Sequence, residues 1–161
     1  MLLWFSAFVM MLARSTSFAI GKKGERTTLV GRSRAGEGTC FAIPELKWMF
    51  DCGALVQGWK PRIVFLTHTH SDHVHFLTHM KNAETPPLIY LPSEAEAFVK
   101  AHLIAYQTMA DCMTEAESQD GGKYQVDYLL RAIHPGEEIT FRQGGSDFVV
   151  RTLKMHHRIP C

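Results

Sequence analysis

The chain has almost no charge excess: 17 lysines and arginines stand against 16 aspartates and glutamates, a formal net charge of +1. A domain dedicated to nucleic-acid binding usually shows a basic surplus, so composition alone does not point to one. Lys22, Lys23, Arg26, Arg32 and Arg34 cluster near the start, and a run of that kind is usually a solvated face. There is no CxxC pair. Cys40, Cys52, Cys112 and Cys161 also lack the spacing of a short secreted disulfide framework, which suggests reduced thiols in an intracellular protein. No apolar run is long enough to span a bilayer, for which roughly 20 residues are needed; Leu2 to Leu12 falls well short. No membrane partner is therefore expected. Internal repeats and low-complexity stretches are absent too.

Acidic residues are missing before Glu25, while Arg14, Lys22, Lys23 and several serines and threonines are present. This composition fits a mitochondrial transit peptide. It also fits a poor secretory signal, with its basic residues on the wrong side of the apolar run, or an extension that packs or frays. Residues 1–24 are accordingly set apart as a leader or targeting segment, and 25–161 as the domain. An intracellular location follows, mitochondrial or nuclear and cytoplasmic. At 161 residues, 46% of them hydrophobic and 20% charged, the chain suits one soluble globular domain with a real core.

Thr27 to Val30 reads as a short strand, followed by a flexible glycine-containing stretch from Gly31 to Gly38. Cys40 to Ile43 and Trp48 to Phe50 look like a hairpin around Pro44-Glu45, closing on the turn signal Asp51-Cys52-Gly53. Arg62 to Leu66 (RIVFL) and Leu88 to Leu91 have the apolar, β-branched character of buried strands. Ser93 precedes Glu96 by three residues, a capping box for a helix running to about Met109. Gln119 to Lys123 reads as a loop. Strands are expected near Val126 to Ala132, Glu138 to Phe141 and Phe148 to Met155, the last placing Leu153, Met155 and His157 on one face. The order predicts a mixed α/β or α+β fold with its chemistry at a strand end.

That chemistry is concentrated in Thr67-His68-Thr69-His70-Ser71-Asp72-His73, directly after the RIVFL strand. Zinc in catalytic sites takes nitrogen and carboxylate ligands and keeps one position open. Alternating spacing can point His68 and His70 to one side, and a tight turn can send Asp72 and His73 to a neighbouring position. One loop could then seed two adjacent metal sites of the kind that clamps both oxygens of a displacement at phosphorus. His75 and His79 read as exposed or packing residues on a helix after the site. His102 and His134 read as structural. His156 and His157, after a strand, are candidate further ligands.

HxHxDH resembles the signature of the metallo-β-lactamase superfamily, and Asp51 in Phe50-Asp51-Cys52-Gly53 resembles its first acidic motif. The stretch from about Gly36 to Cys161 further resembles the ribonuclease Z family of tRNA 3′-processing endonucleases, in its short form. Glu37-Gly38-Thr39-Cys40, the metal motif, Leu91-Pro92-Ser93 and His156-His157-Arg158-Ile159-Pro160 carry that likeness. The resemblance implies the N-terminal half of an αββα sandwich. It implies that His68, His70 and His157 bind one zinc and Asp72 and His73 a second. Asp72 would also accept the proton of the attacking water, and Asp51 would orient the site. The implied substrate is precursor tRNA, from which the 3′ trailer is removed; a homodimer and a monomer both remain open.

Two departures accompany the resemblance. Val74-His75-Phe76 stand where the family usually has two glycines. The family's metal-bridging aspartate and last histidine belong to the second half of the fold, so this chain alone is expected to be inactive. The alternatives are another hydrolase of the same fold, acting on a thioester or small phosphodiester, and a non-catalytic fragment or isoform.

Overall fold

The protein is described by a computed structural model that covers residues 16–20, 27–54, 59–80, 86–110 and 129–155. A seven-stranded sheet runs in chain order: β1 (Thr16–Ile20), β2 (Thr27–Arg34), β3 (Gly38–Ile43), β4 (Trp48–Phe50), β5 (Ile63–Phe65), β6 (Leu88–Pro92) and β7 (Leu129–Ile133). Strands β1 to β4 form an antiparallel meander. From β4 onward the pairing is parallel. Two helices follow the parallel strands, α1 (Ser71–Val74) after β5 and α2 (Glu96–Ala110) after β6. A separate ribbon, β8 (Glu138–Gln143) with β9 (Ser146–Arg151), turns through Gly144 and Gly145. Both glycines have positive φ, as a two-residue hairpin turn of the mirror-image type requires.

The apolar runs are continuous because the parallel strands are covered on both faces. Side chains alternate strictly. Met49, Val64, Leu66, Ile89 and Leu91 point to one side and pack with Val99 and Leu103 of α2 and with Leu77 and Met80. Trp48, Phe65 and Tyr90 point to the other and meet Ile139, Phe141, Phe148 and Val150 of the ribbon. On this second side Phe50, Phe65 and Tyr90 occupy one register row across three strands. Their rings stack at 5.1 and 5.2 Å, and Phe141 closes the row edge-on from the ribbon. Helix layer, mixed sheet and ribbon give the mixed α+β arrangement expected from the element order.

Several boundaries differ from expectation for local reasons. Strand β2 runs through to Arg34 because Arg32, Ser33 and Arg34 pair with β3, leaving only a tight turn at residues 35–37 where a flexible stretch was expected. The sheet begins at Thr16, inside the segment set apart as a leader; residues 1–15 and 21–24 lie outside the described residues. The capping box does not form. Pro92 stands at the N-cap of a 3-10 turn, Ser93–Ala95, that leads into α2, and the Ser93 hydroxyl is engaged elsewhere, as shown below. The helix expected after the metal motif is one turn, followed by a 3-10 segment Leu77–Met80. Strand β9 ends at Arg151, because Thr152 instead pairs with Glu137 across the β7–β8 turn. Leu153 and Met155 beyond it are exposed. The expected loop 119–123 and residues 126–128 fall outside the described residues.

Candidate metal centre

In open sheets with parallel strands, ligands bind beyond the carboxyl ends of the strands. Here those ends present Asp51 after β4, Thr67 and His68 after β5, Ser93 and Glu94 after β6, and His134 after β7. Asp51 holds a left-handed backbone, φ 56°, a conformation that costs about 1–2 kcal/mol in most residues but is tolerated best by Asn and Asp. Its N–H donates to the Phe65 carbonyl at 2.9 Å, so the residue is turned inward and buried.

The Asp51 carboxylate accepts from the Thr67 N–H at 2.8 Å and from the Thr67 hydroxyl, and Oδ2 lies 2.8 Å from His73 Nδ1. Burial pushes its carboxyl above the usual range, opposed by the bonds from Thr67 and His73. A carboxylate can only accept, so His73 carries its proton on Nδ1. The same logic runs through Thr67. Its one hydroxyl proton goes to Asp51, so at 2.9 Å from His68 Nδ1 the oxygen accepts, and His68 also carries its proton on Nδ1. One buried carboxylate thus fixes the tautomer of two histidines, leaving Nε2 of each as the lone-pair side.

The rings come together. His68 and His73 centroids are 3.9 Å apart and those of His68 and His70 4.9 Å. His73 Nε2 stands 3.7 Å from Asp72 Oδ2. Two lone-pair donors facing each other at that distance suit a cation between them; tetrahedral zinc at its usual bond lengths sets donors about 3.3 Å apart. The donor chemistry therefore fits a metal. Among the described residues, however, no three His, Cys, Asp or Glu side chains are grouped closely enough to hold one together. His157 and its neighbour His156 lie outside the described residues.

Asp72 is placed by glycines. The Gly36 N–H, at the tip of the β2–β3 turn, donates to Asp72 Oδ2 at 3.1 Å and holds its carboxyl below the usual range. Gly53 lies against the backbone of Asp72, where any Cβ would collide with the Asp72 carbonyl, and a Cβ on Gly38 would collide with the Gly53 carbonyl. Cys52 donates to the His73 carbonyl at 2.7 Å and accepts from Phe76 at 2.9 Å. The Asp51-Cys52-Gly53 turn is therefore stitched along the metal-motif loop.

Thr67, Gly36 and Gly53 were not singled out from the sequence as site residues; the local signs were Thr67 beside the first histidine and Gly53 in the Asp51-Cys52-Gly53 turn. His134, expected to be structural, is held by hydrogen bonds and also lines a cavity of ≈ 380 Å³ together with His68, Leu66, Glu94, Arg151 and Met155. His75 and His79 are exposed as expected, though on a turn and a 3-10 segment rather than on one helix. His79 packs beside Phe76 and Tyr106. Cys40 and Cys52 are free and buried. Among the described residues no helix is long and apolar enough to cross a membrane.

Comparison with known proteins shows the family to which the chain belongs. The chain is similar to a chloroplastic tRNase Z of Arabidopsis thaliana, 30% identical over 157 residues, covering 91% of this chain and 40% of that protein. It is similar to a ribonuclease Z of Shouchella clausii, 32% identical over 116 residues, 59% of this chain and 37% of that one. A ribonuclease Z of Bacillus cereus is 26% identical over 129 residues, 71% and 36%. The chain spans about two fifths of the length of the curated relatives it matches. Residues 45–160 match the model of the metallo-beta-lactamase superfamily, and with the HxHxDH loop set on the carboxyl end of a buried parallel strand, the chain belongs to that superfamily.

Proposed function

We propose that this chain carries the first part of the active site of a zinc-dependent endoribonuclease that removes the 3′ trailer from precursor tRNA. The observation that carries the reading is the brace from Asp51 through Thr67 and His73, which turns two histidines of the HxHxDH loop into matched lone-pair donors beside Asp72. The names of the relatives, tRNase Z and ribonuclease Z, supply the substrate class.

In this reading His68, His70 and His157 serve one zinc ion, and Asp72 and His73 serve a second. Bound zinc lowers the pKa of water and polarises a phosphoryl oxygen. The chain's own residues supply the rest. Asp51 and Thr67 hold the ring orientations, and partners of this kind are typically worth 10–100-fold in metal affinity. Asp72, whose carboxyl the Gly36 N–H holds below the usual range, accepts a proton at a carboxylate oxygen. Met155, two positions before His157 in the sequence, lines the same cavity as His68. The remaining ligands are those that the family resemblance assigns to the second half of the fold. An intracellular setting, mitochondrial or nuclear and cytoplasmic, suits such a substrate.

The test is cleavage of a 3′-extended tRNA by the full-length protein in the presence of zinc. Loss of trailer removal in His70→Ala and Asp72→Ala, with the fold retained, is the expected result. Trailer removal that survives both substitutions overturns the assignment. Hydrolysis of a thioester or of bis-p-nitrophenyl phosphate with no cleavage of tRNA would instead identify another hydrolase of the superfamily.

A further inference from the structure

The relay that sets the metal-loop histidines is repeated two strands away. Ser93 donates its one hydroxyl proton to Glu94 Oε2 at 3.0 Å, so at 3.1 Å from His134 Nδ1 its oxygen accepts. His134 is thereby held with its proton on Nδ1, as His68 is by Thr67 and Asp51. Its main chain is fixed as well: the N–H donates to the Glu137 carboxylate at 3.1 Å, and the carbonyl accepts from the Thr152 hydroxyl at 2.6 Å. An exposed histidine on the β7–β8 turn is thus locked by bonds within its own turn and to two other segments, at Ser93 and Thr152, while contributing nothing to the core.

What this arrangement faces is the cavity it shares with His68. The β5 and β7 ends are two strand spacings apart, roughly 10 Å, the span of a nucleoside rather than of a phosphate. The cavity wall is apolar, from Phe65, Leu66, Ile133 and Val150, and its rim carries an acceptor, Glu94, and a cation, Arg151. A flat apolar body with both donors and acceptors on its edge fits that lining; a pocket of this size with few polar groups is the usual form of a small-molecule site. An acyl chain has no use for the rim, and inorganic phosphate none for the walls.

We propose that this cavity is a subsite for the nucleoside next to the scissile phosphodiester, with His134 Nε2 accepting a hydrogen bond from its base or ribose. The identity of the flanking phosphodiester rests on the function proposed above; the nucleoside site itself does not need the metal. Ser93 is a positioning residue, acting through His134.

The experiment is a calorimetric and NMR titration of the chain with adenosine 5′-monophosphate in the presence of EDTA. Binding that perturbs the methyl resonances of Leu66, Ile133 and Val150 is expected. It weakens roughly 3- to 10-fold, the value of one hydrogen bond, in His134→Ala and Ser93→Ala, and is kept in Ser93→Thr. Inorganic phosphate should not displace the nucleotide. Unchanged affinity in His134→Ala overturns the proposal, as does displacement by equimolar phosphate. Circular dichroism of each variant confirms that the fold is intact. Because the titration contains no metal, absence of zinc-dependent tRNA cleavage would refute the enzymatic reading and leave this one standing. Absence of nucleotide binding would do the reverse.

Discussion

Gly53→Ala tests whether the acidic turn and the metal loop are one unit. Gly53 does not occupy the left-handed region of φ, so backbone conformation raises no objection to alanine. The objection is space: the new Cβ falls inside the Asp72 carbonyl and reaches to 2.9 Å from the His73 nitrogen. Neither neighbour is the end of a flexible side chain. The 51–54 turn and the 71–74 turn must separate by more than an ångström, which breaks the 2.7 Å bond from Cys52 to the His73 carbonyl and strains the 2.9 Å bond from Phe76 to Cys52. Overpacking costs about 1–3 kcal/mol and each lost hydrogen bond about 0.5–1.5 kcal/mol, for a sum of roughly 2–5 kcal/mol. At roughly 3 °C per kcal/mol for a chain of this size, Tm should fall by about 6–15 °C in a circular-dichroism melt. Gly36→Ala is the control. Nothing lies within 4 Å of its added methyl, so only the left-handed φ, worth about 1–2 kcal/mol, acts against it. Zinc affinity should drop further in Gly53→Ala than in Gly36→Ala, since only the former moves the Asp72 and His73 backbone. A Gly53→Ala chain that melts within 2 °C or so of the parent would refute the claimed contact.

Further predictions concern the brace, the thiols and the core. Asp51→Asn keeps the shape but gives His73 Nδ1 a poorer partner, and zinc affinity measured against a chromogenic chelator should fall about 10–100-fold. Thr67→Val removes the relay to His68 while leaving the Thr67 N–H bond to Asp51; zinc affinity should fall with little change in Tm, and an unchanged affinity would break the tautomer argument. Burial pushes the Cys40 thiol up to about 12 and Cys52 well above its ordinary value, so neither should react with Ellman's reagent at pH 8 until urea unfolds the chain. Since Cys40 has a folded pKa above its unfolded one, its contribution is complete below pH 9 and is lost as pH rises toward 12. Stability should therefore decline there by up to about 1.4 kcal/mol per pH unit for this group. Phe65→Ala should cost about 3–5 kcal/mol in urea denaturation, because the ring stacks between Phe50 and Tyr90 under Phe141.

How far the sequence was legible depends on the range of the forces involved. Arg62 to Leu66 and Leu88 to Leu91 read as buried strands because both faces of β5 and β6 are covered, a property that leaves its mark on every residue of the run. The HxHxDH loop was legible for a similar reason, its donors being neighbours in sequence. Ser93 was misread because the same residue type serves as a helix cap or as a partner for a distant histidine, and His134, 41 residues away, is invisible to a local rule. The end of β9 was overestimated since Leu153 and Met155 keep the strand alternation, while Thr152 is drawn to Glu137 and His134.

The missed site residues share one trait: they act through backbone atoms or through a second side chain. Gly36 gives Asp72 an N–H, Gly53 gives it room, and Thr67 passes the influence of Asp51 to His68. Gly53 and Thr67 stand inside motifs visible in the sequence, but what each does there is set by contacts that composition and spacing do not reveal. Yet they decide what the distinctive residues can do. Without the relay, either nitrogen of His68 could carry the proton, and the Nε2–H tautomer would present N–H where a metal needs a lone pair. The same carboxylate–hydroxyl–imidazole order at Glu94, Ser93 and His134 shows the parallel-strand edge orienting imidazoles at two places along one cavity. A second locked histidine there contributes nothing to the core and commits a side chain to whatever the cavity receives.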